Sequence, residues 1–352
     1  MTDRAERHRR SARWLPLIIL FALWPAPAAG HGTAGLEESD YLVAITDAPD
    51  LPGVTVRTVE TGTRLELINE SGFAVEVLGY AGEPYAEVRP EGVFLNRMSP
   101  AAYLNETGDT RSAPPAFASP AATPQWLKAS DEPRLRWHDH RAGWMSVEPP
   151  PRVRDDPHTR HRVVEWTIPL RVGTTQHYVH GYVDWMPPPD TSVWTAGTLL
   201  LAGGVTVAAL TRFGRRLVPA LTAIAGAGAV VDAVGRASVA ADYDDSWPMV
   251  LVTAQVWPTL AGLSGIVAAW YWWAGKPHAD LACALAGITM ALLAGAARFA
   301  GFVSAVTPTP WTGDMSRTLI LLATGVGAGV SAAFAIGTRR PGVADDAVKG
   351  AM

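Results

Sequence analysis

Between residues 192 and 338 the chain carries five apolar runs, each long enough to cross a bilayer, and this limits the fold more than any other feature. The runs fall at about Val193–Leu210, Leu217–Val239, Trp247–Trp273, Leu281–Val303 and Arg317–Gly337. The short connections between them differ in charge. "TRFGRR", "GKPH" and "TRRP" follow the first, third and fifth runs and are basic, whereas "DYDDS" and "TPTPWTGD" follow the second and fourth and hold no lysine or arginine. Basic loops stay on the cytoplasmic side, so the pattern predicts five transmembrane helices with residues 31–190 on the extracytoplasmic side. Trp270, Trp272 and Trp273 are expected at the cytoplasmic-side interface, and "GVGAGVSAAFAIG" predicts close helix packing through small residues. Residues 339–352 are expected as a cytoplasmic tail.

The start of the chain agrees with that orientation. Residues 1–30 read as a secretory signal: a basic region with Arg4, Arg7, Arg9, Arg10 and Arg13, a short apolar run from Leu15 to Leu23, then small residues. Cleavage after Ala28-Ala29-Gly30 releases His31, and is preferred to cleavage after Ala26-Pro27-Ala28, which sets proline at the scissile bond. A histidine at a free N-terminus offers a metal both its α-amine and its ring.

Residues 31–190 differ in composition from the helical half, being proline-rich and charged. "VTVRTVETGTRLELINES" alternates apolar and polar residues on both sides of Glu60-Thr61-Gly62 and predicts a hairpin. "FAVEVLGYAGEPYAEVRPEGVFLN" predicts two more short strands, and "RHRVVEWTIPLRV" with "QHYVHGYVDWM" a closing pair. Short strands at regular spacing predict an immunoglobulin-like β-sandwich, with residues 99–130 as a long irregular loop. "PPPD" at 187–190 is a stiff spacer before the membrane.

Directly after that loop comes "RLRWHDHRAGWM", residues 134–145. On a strand, residues i and i+2 share a face, so His138 and His140 converge while Asp139 points away; on a loop, Asp139 is a third possible ligand. With His31 the set offers one amine and three imidazoles, a nitrogen-rich donor set that suits Cu(II). The same letters support a second expectation. Arg136, Asp139 and Arg141, with carboxylates such as Glu83 or Glu87, can form a charge-assisted network that ties the loop down without metal. His158 and His161 sit in a charged turn and are expected to be solvated; His177 and His180 are three apart on a strand and face opposite ways. Cys283, the single cysteine, excludes an internal disulfide and is expected to be an inert helix residue.

An N-terminal histidine after a leader, followed by a β-sandwich, resembles the CopC-type periplasmic copper-binding proteins. The resemblance implies Cu(II) held by His31 and by a distal set, Asp139 or His138 with His140. A CopC-like domain joined to several membrane helices is similar to CopC–CopD fusions. "HG…WHDH" is similar to the amino-terminal cupredoxin of the particulate methane monooxygenase B subunit, which implies an N-terminal histidine and an H-x-H pair as ligands. The methionine-rich segment of many CopC proteins and the histidines of CopD are missing here. Over nearly its whole length the chain resembles an actinobacterial membrane-protein family carrying "WHDHR…WM".

The polar residues inside the expected spans are Asp232 and Arg236, four apart on one helix face, Arg298, and Gln255 at a comparable depth; they predict an internal ion pair or a polar vestibule below the outer domain. The functional expectation is a cell-envelope membrane protein that binds copper for acquisition, delivery or homeostasis, with the lipid bilayer and copper-handling envelope proteins as partners. The alternative is a non-metal interaction or structural protein that displays a β-sandwich to an envelope partner. Net charge of −4 gives no basic excess for nucleic acid. The β-half shows no nucleophile–base pairing and the spans no second metal cluster, so an enzyme is not expected.

Overall fold

The computed structural model describes residues 38–107, 113–241 and 246–337. The expected leader, its cleavage point, His31 and the tail lie outside the described residues.

Among the described residues ten strands build the first half: β1 (Tyr41–Asp47), β2 (Val54–Val59), β3 (Arg64–Asn69), β4 (Val75–Leu78), β5 (Pro84–Arg89), β6 (Gly92–Asn96), β7 (Trp126–Ser130), β8 (Arg134–Trp137), β9 (His161–Val172) and β10 (Thr175–Trp185). They form a seven-stranded sheet ordered β1-β10-β9-β4-β5-β6-β7 and a three-stranded sheet ordered β2-β3-β8. All recorded strand pairings are antiparallel. The two sheets share one core, because alternation sends every second apolar residue inward. Leu65, Leu67, Leu135 and Trp137 come from the smaller sheet, and Val75, Val77, Val88, Trp166, Ile168, Leu170 and Val183 from the larger.

The expected hairpin around residues 60–62 and the closing pair are present as β2–β3 and β9–β10. The stretch after Phe73 gives three strands instead of two, because the turn at Gly79–Glu83 lets Pro84 open a further strand. Residues 99–130 are not irregular throughout. They hold α1 (Ala101–Thr107), whose first turn Ser99 caps through Ala101 N at 3.2 Å, and the edge strand β7. Asn96 draws the returning chain back to β6 by accepting from Gln125 N at 3.0 Å. A second short helix, α2 (Pro151–Asp155), precedes β9.

The second half is helical: α3 (Thr191–Ala209), α4 (Gly214–Ala240), α5 (Trp247–Thr253), α6 (Val256–Trp273), α7 (Ala279–Thr289), α8 (Ala300–Val303) and α9 (Gly313–Ile336). A π-helical turn (Met290–Gly295) and a 3-10 turn (Ala296–Arg298) join α7 to α8. Among the described residues four helices are long and apolar enough to cross a membrane, or five if α5 and α6 count as one broken span. The expected third run is therefore not one helix: α5 and α6 meet at 86°. Pro258 explains the break. It donates no N–H, and in a continuous helix its ring would strike the carbonyl of Ala254, where α5 ends. Cys283 is buried in α7 as expected.

Small residues set the helix crossings. A methyl group on Gly226 of α4 would lie 2.5 Å from the carbonyl oxygen of Gly262 in α6, and one on Gly262 would lie 2.6 Å from that of Gly226. Gly287 of α7 and Gly327 of α9 meet in the same way, at 2.6 and 2.4 Å. Backbones at this distance gain dispersion contacts that side chains would block.

The β-domain is fastened to one end of the helices. Ser39 pairs with Val306 in a two-bond bridge of 3.1 and 2.8 Å, and Asp40 accepts from Ala305 N at 2.8 Å. Glu38 reaches Arg236 of α4 at 2.8 Å. Arg317, 5% exposed, steadies the irregular segment that receives them by donating to the carbonyls of Gly301, Ser304 and Ala305.

The glycine crossing gives a direct test. Gly262→Val should lower stability by about 3 kcal/mol, because the added methyls meet backbone that no rotamer change can move. Gly203→Ala, where nothing lies within 4 Å, should leave the unfolding midpoint of the detergent-solubilised protein unchanged or slightly raised.

Candidate functional site

The "RLRWHDHRAGWM" stretch begins as strand β8. Alternation buries Leu135 and Trp137 in the core and turns Arg134 and Arg136 to the other face. There the register sets Arg57, Glu66 and Arg136 in one row across β2, β3 and β8. Glu66 lies between the two arginines, with Arg57 Nε at 2.5 Å on one carboxylate oxygen and Arg136 Nε at 2.7 Å on the other. Burial alone would raise the Glu66 pKa, but the bonds and charges of Arg136 and Arg57 outweigh it and hold the group below its ordinary value.

The strand stops at Trp137, so His138 and His140 do not alternate along one face. His138 follows the strand end, and His140 opens a 3-10 turn (His140–Ala142) capped by Asp139. The Asp139 carboxylate is fully engaged. It accepts from Trp137 Nε1 at 3.0 Å, Arg141 N at 3.1 Å, and Arg141 Nε and a terminal nitrogen, both at 2.8 Å. Arg141 continues to the carbonyl of Leu78 at 3.0 Å and lies over the Tyr80 ring. The residue thus clasps β8 to the turn after β4.

Both ring nitrogens of His138 are also engaged. Nδ1 stands 3.0 Å from the Thr63 carbonyl, and Arg64 Nε donates to Nε2 at 3.0 Å. An acceptor at Nε2 requires the neutral ring with its proton on Nδ1. Burial, then the charges of Arg64 and His140, lower its pKa. His140 donates its backbone N–H to Tyr80 Oη at 3.0 Å, while its ring Nε2 is enclosed with no hydrogen-bond partner. Tyr80 donates to Asn105 in turn, and its pKa is pushed up to about 12 by burial and by the charge of Asp139.

Of the four expected metal ligands, the structure brings His138, Asp139 and His140 into one turn, and His31 lies outside the described residues. No group of three His, Cys, Asp or Glu side chains is placed to hold a metal ion among the described residues. The network expectation named Arg136, Asp139 and Arg141, and all three are bonded within the protein, but not through the carboxylates foreseen. Arg136 takes Glu66 and lies 3.9 Å from Glu60; Glu83 accepts from Ala81 N and Ser99, and Glu87 pairs with Arg89. The hairpin register, which places Glu66 opposite Arg57, was the signal that could have found the true partner. His180 bonds Thr167 and His161 approaches the Asp156 carbonyl at 2.6 Å, while His158 is exposed.

The two arginines of the Arg-Glu-Arg row, Arg57 and Arg136, also line a crevice of about 630 Å³ between the β-domain and the helix ends. Arg57, Glu60 and Arg136 line it on one side, and Ser238, Thr307 and Trp311 on the other. Glu60 and Thr61 both adopt left-handed backbone there, with φ of 53° and 57°. Consecutive non-glycine residues in this region store strain, which collects at functional sites. The buried Glu60 carboxylate has one oxygen 3.5 Å from Arg64 and the other enclosed without a hydrogen-bond partner.

Below the crevice, the expected Asp232–Arg236 pair is present at 2.9 Å, and Ser316 adds a hydroxyl to Asp232 at 3.2 Å. Arg298 donates to Gln255. Comparison with protein-family models, with curated proteins and with solved structures finds no match to this chain.

Two outcomes follow from the clasp. Asp139→Ala should destabilise the protein by about 2–4 kcal/mol, read as a lower unfolding midpoint, since it strands the Trp137 N–H and the Arg141 guanidinium together. His138 binds protons less readily folded than unfolded, so its contribution is present above its ordinary pKa of 6.5 and is lost as pH falls through the lower folded value. Thermal midpoints measured from pH 7.5 to 5 should therefore fall, and His138→Gln should flatten that slope.

Proposed function

We propose that the chain is a multi-pass membrane protein of the cell envelope whose β-domain, an immunoglobulin-like sandwich outside the membrane, is a rigid non-metal binding module. The basic loops after the first, third and fifth apolar runs and the leader-like start support that orientation. The observation that carries the reading is the engagement of the "WHDHR" side chains. Every Asp139 oxygen and both His138 nitrogens already have protein partners, so metal binding there would have to break the clasp. The surface that the module offers is the strained crevice above the helix ends, sized for a small molecule or for a projecting side chain of an envelope partner.

A second reading, a CopC-like Cu(II) site for copper acquisition or delivery, is favoured by one observation: His140 Nε2 has no hydrogen-bond partner. A copper site would use that nitrogen together with the His31 amine and ring, with His138 turning from Arg64 on binding. Copper titration of the full-length protein in detergent separates the two. The binding-module reading expects no tight Cu(II) site, and equal behaviour of the wild type, His140→Ala and a variant with one residue inserted before His31. Tight binding that both changes abolish would establish the copper site and overturn the first reading.

A further inference from the structure

The helices hold a second cavity, at the end away from the β-domain. α3 leaves the β-domain at Thr191 and runs 19 residues to Ala209, about 28 Å. That length is close to the thickness of a hydrocarbon core, so the turn after α3 stands where acyl chains give way to headgroups on the far side. Trp270 and Trp273, exposed at the end of α6, mark the same level, and Trp272 between them lines the cavity.

The cavity has a volume of about 480 Å³. Its inner wall is apolar and buried: Val218 of α4, Cys283 of α7, and Val330 and Ala333 of α9. Its rim is charged. Arg212, in the turn after α3, and Arg215, at the start of α4, are exposed there, with the half-buried Asp280 of α7. Gly214 lets the chain reverse tightly enough to set both arginines on one rim, because a methyl group at this position would lie 2.4 Å from the Ala209 carbonyl oxygen. Trp272 Nε1 donates to the Arg215 carbonyl at 3.0 Å and ties the start of α4 to the end of α6.

The rim arginines are unpaired. Among the described residues neither guanidinium makes a hydrogen bond or an ion pair; Arg212 lies against the Phe213 ring, 4.9 Å from its centroid. Asp280 makes no ion pair with them. It stands in the first turn of α7, where a carboxylate complements the positive end of the helix. Two arginines less one aspartate leave one positive charge on the rim. A soluble anion would answer that charge and leave the apolar wall facing water. An amphiphile serves both parts, and basic pockets between membrane helices hold anionic headgroups in this way.

We propose that Arg212 and Arg215 seat the headgroup of a phospholipid of one net negative charge, in the leaflet away from the β-domain, with part of an acyl chain against Val218, Cys283 and Val330. Asp280 accepts from a headgroup hydroxyl and opposes a second negative charge. The inference rests on the reading that these helices cross a membrane.

Native mass spectrometry of the full-length protein, exchanged with phosphatidylglycerol, phosphatidylethanolamine or phosphatidylcholine of matched chains, tests it. Wild type should retain phosphatidylglycerol about five-fold or more over either zwitterionic lipid. Arg212→Gln and Arg215→Gln should each weaken that preference, and the double variant should abolish it. Arg216→Gln, a neighbour that does not line the cavity, should leave it unchanged. No headgroup preference in wild type would overturn the proposal. So would an equal loss on Arg216→Gln, which would mean a diffuse basic surface. Phosphatidylethanolamine held as well as phosphatidylglycerol would overturn the anionic headgroup, and full competition by chain-free glycerophosphoglycerol would overturn the acyl contact. A preference gained only when the chain is cut after Pro341, removing Asp345 and Asp346, would give the arginines to the tail instead. If the double variant does not fold, the single variants and Arg216→Gln decide. Release of wild-type protein from membranes by alkaline carbonate would fail the spanning reading, and would be seen separately.

Discussion

The guanidinium of Arg317 holds three backbone carbonyls, those of Gly301, Ser304 and Ala305, where α8 ends and the chain loses regular structure. Carbonyls released from a helix must find donors, and a buried segment has few at hand. Because one buried side chain supplies them, the segment 304–306 keeps a fixed shape and can accept a strand-like partner. Ser39 and Asp40 pair with it, and β1 follows directly. The seat of the β-domain, the crevice beside it and the reach of Glu38 down to Arg236 all depend on that arrangement.

The "WHDHR" clasp shows how the same residue types serve metal or protein. A ligand set needs lone pairs left free, and this turn uses almost all of its own. Asp139 caps a turn, takes an indole N–H and holds Arg141, while His138 bridges a carbonyl and Arg64. Buried polar groups left unbonded are costly, so a fold tends to consume its donors and acceptors locally. His140 Nε2 and one Glu60 oxygen are exceptions, enclosed without hydrogen bonds.

In the helical half, regularity and irregularity divide the work. Glycine pairs at 226/262 and 287/327 bring backbones together and make a firm frame. The break at Gln255 and the π-helical turn before Arg298 interrupt the frame at one level, near the β-domain. Polar side chains gather where the frame is interrupted, since freed backbone groups and charged side chains can satisfy one another there.

Much of this was legible from the sequence. Alternation gave the hairpin β2–β3 and the closing pair β9–β10, and run length gave the apolar helices, because both periods depend only on local backbone geometry. The Asp232–Arg236 pair was legible for the same reason, being one helical turn apart. Partners far apart in the chain were not. That Arg136 meets Glu66 instead of Glu83 or Glu87, that His138 meets Arg64, and that Glu38 enters a helix bundle 198 residues away are outcomes of register and docking. The break in the third run was missed because run length ignores Pro258, and where the Gln255 side chain went was decided by the turn that brought Arg298 beside it. Local periodicity fixes which elements form; only packing decides which charged groups meet, because that choice rests on distances the chain acquires when it folds.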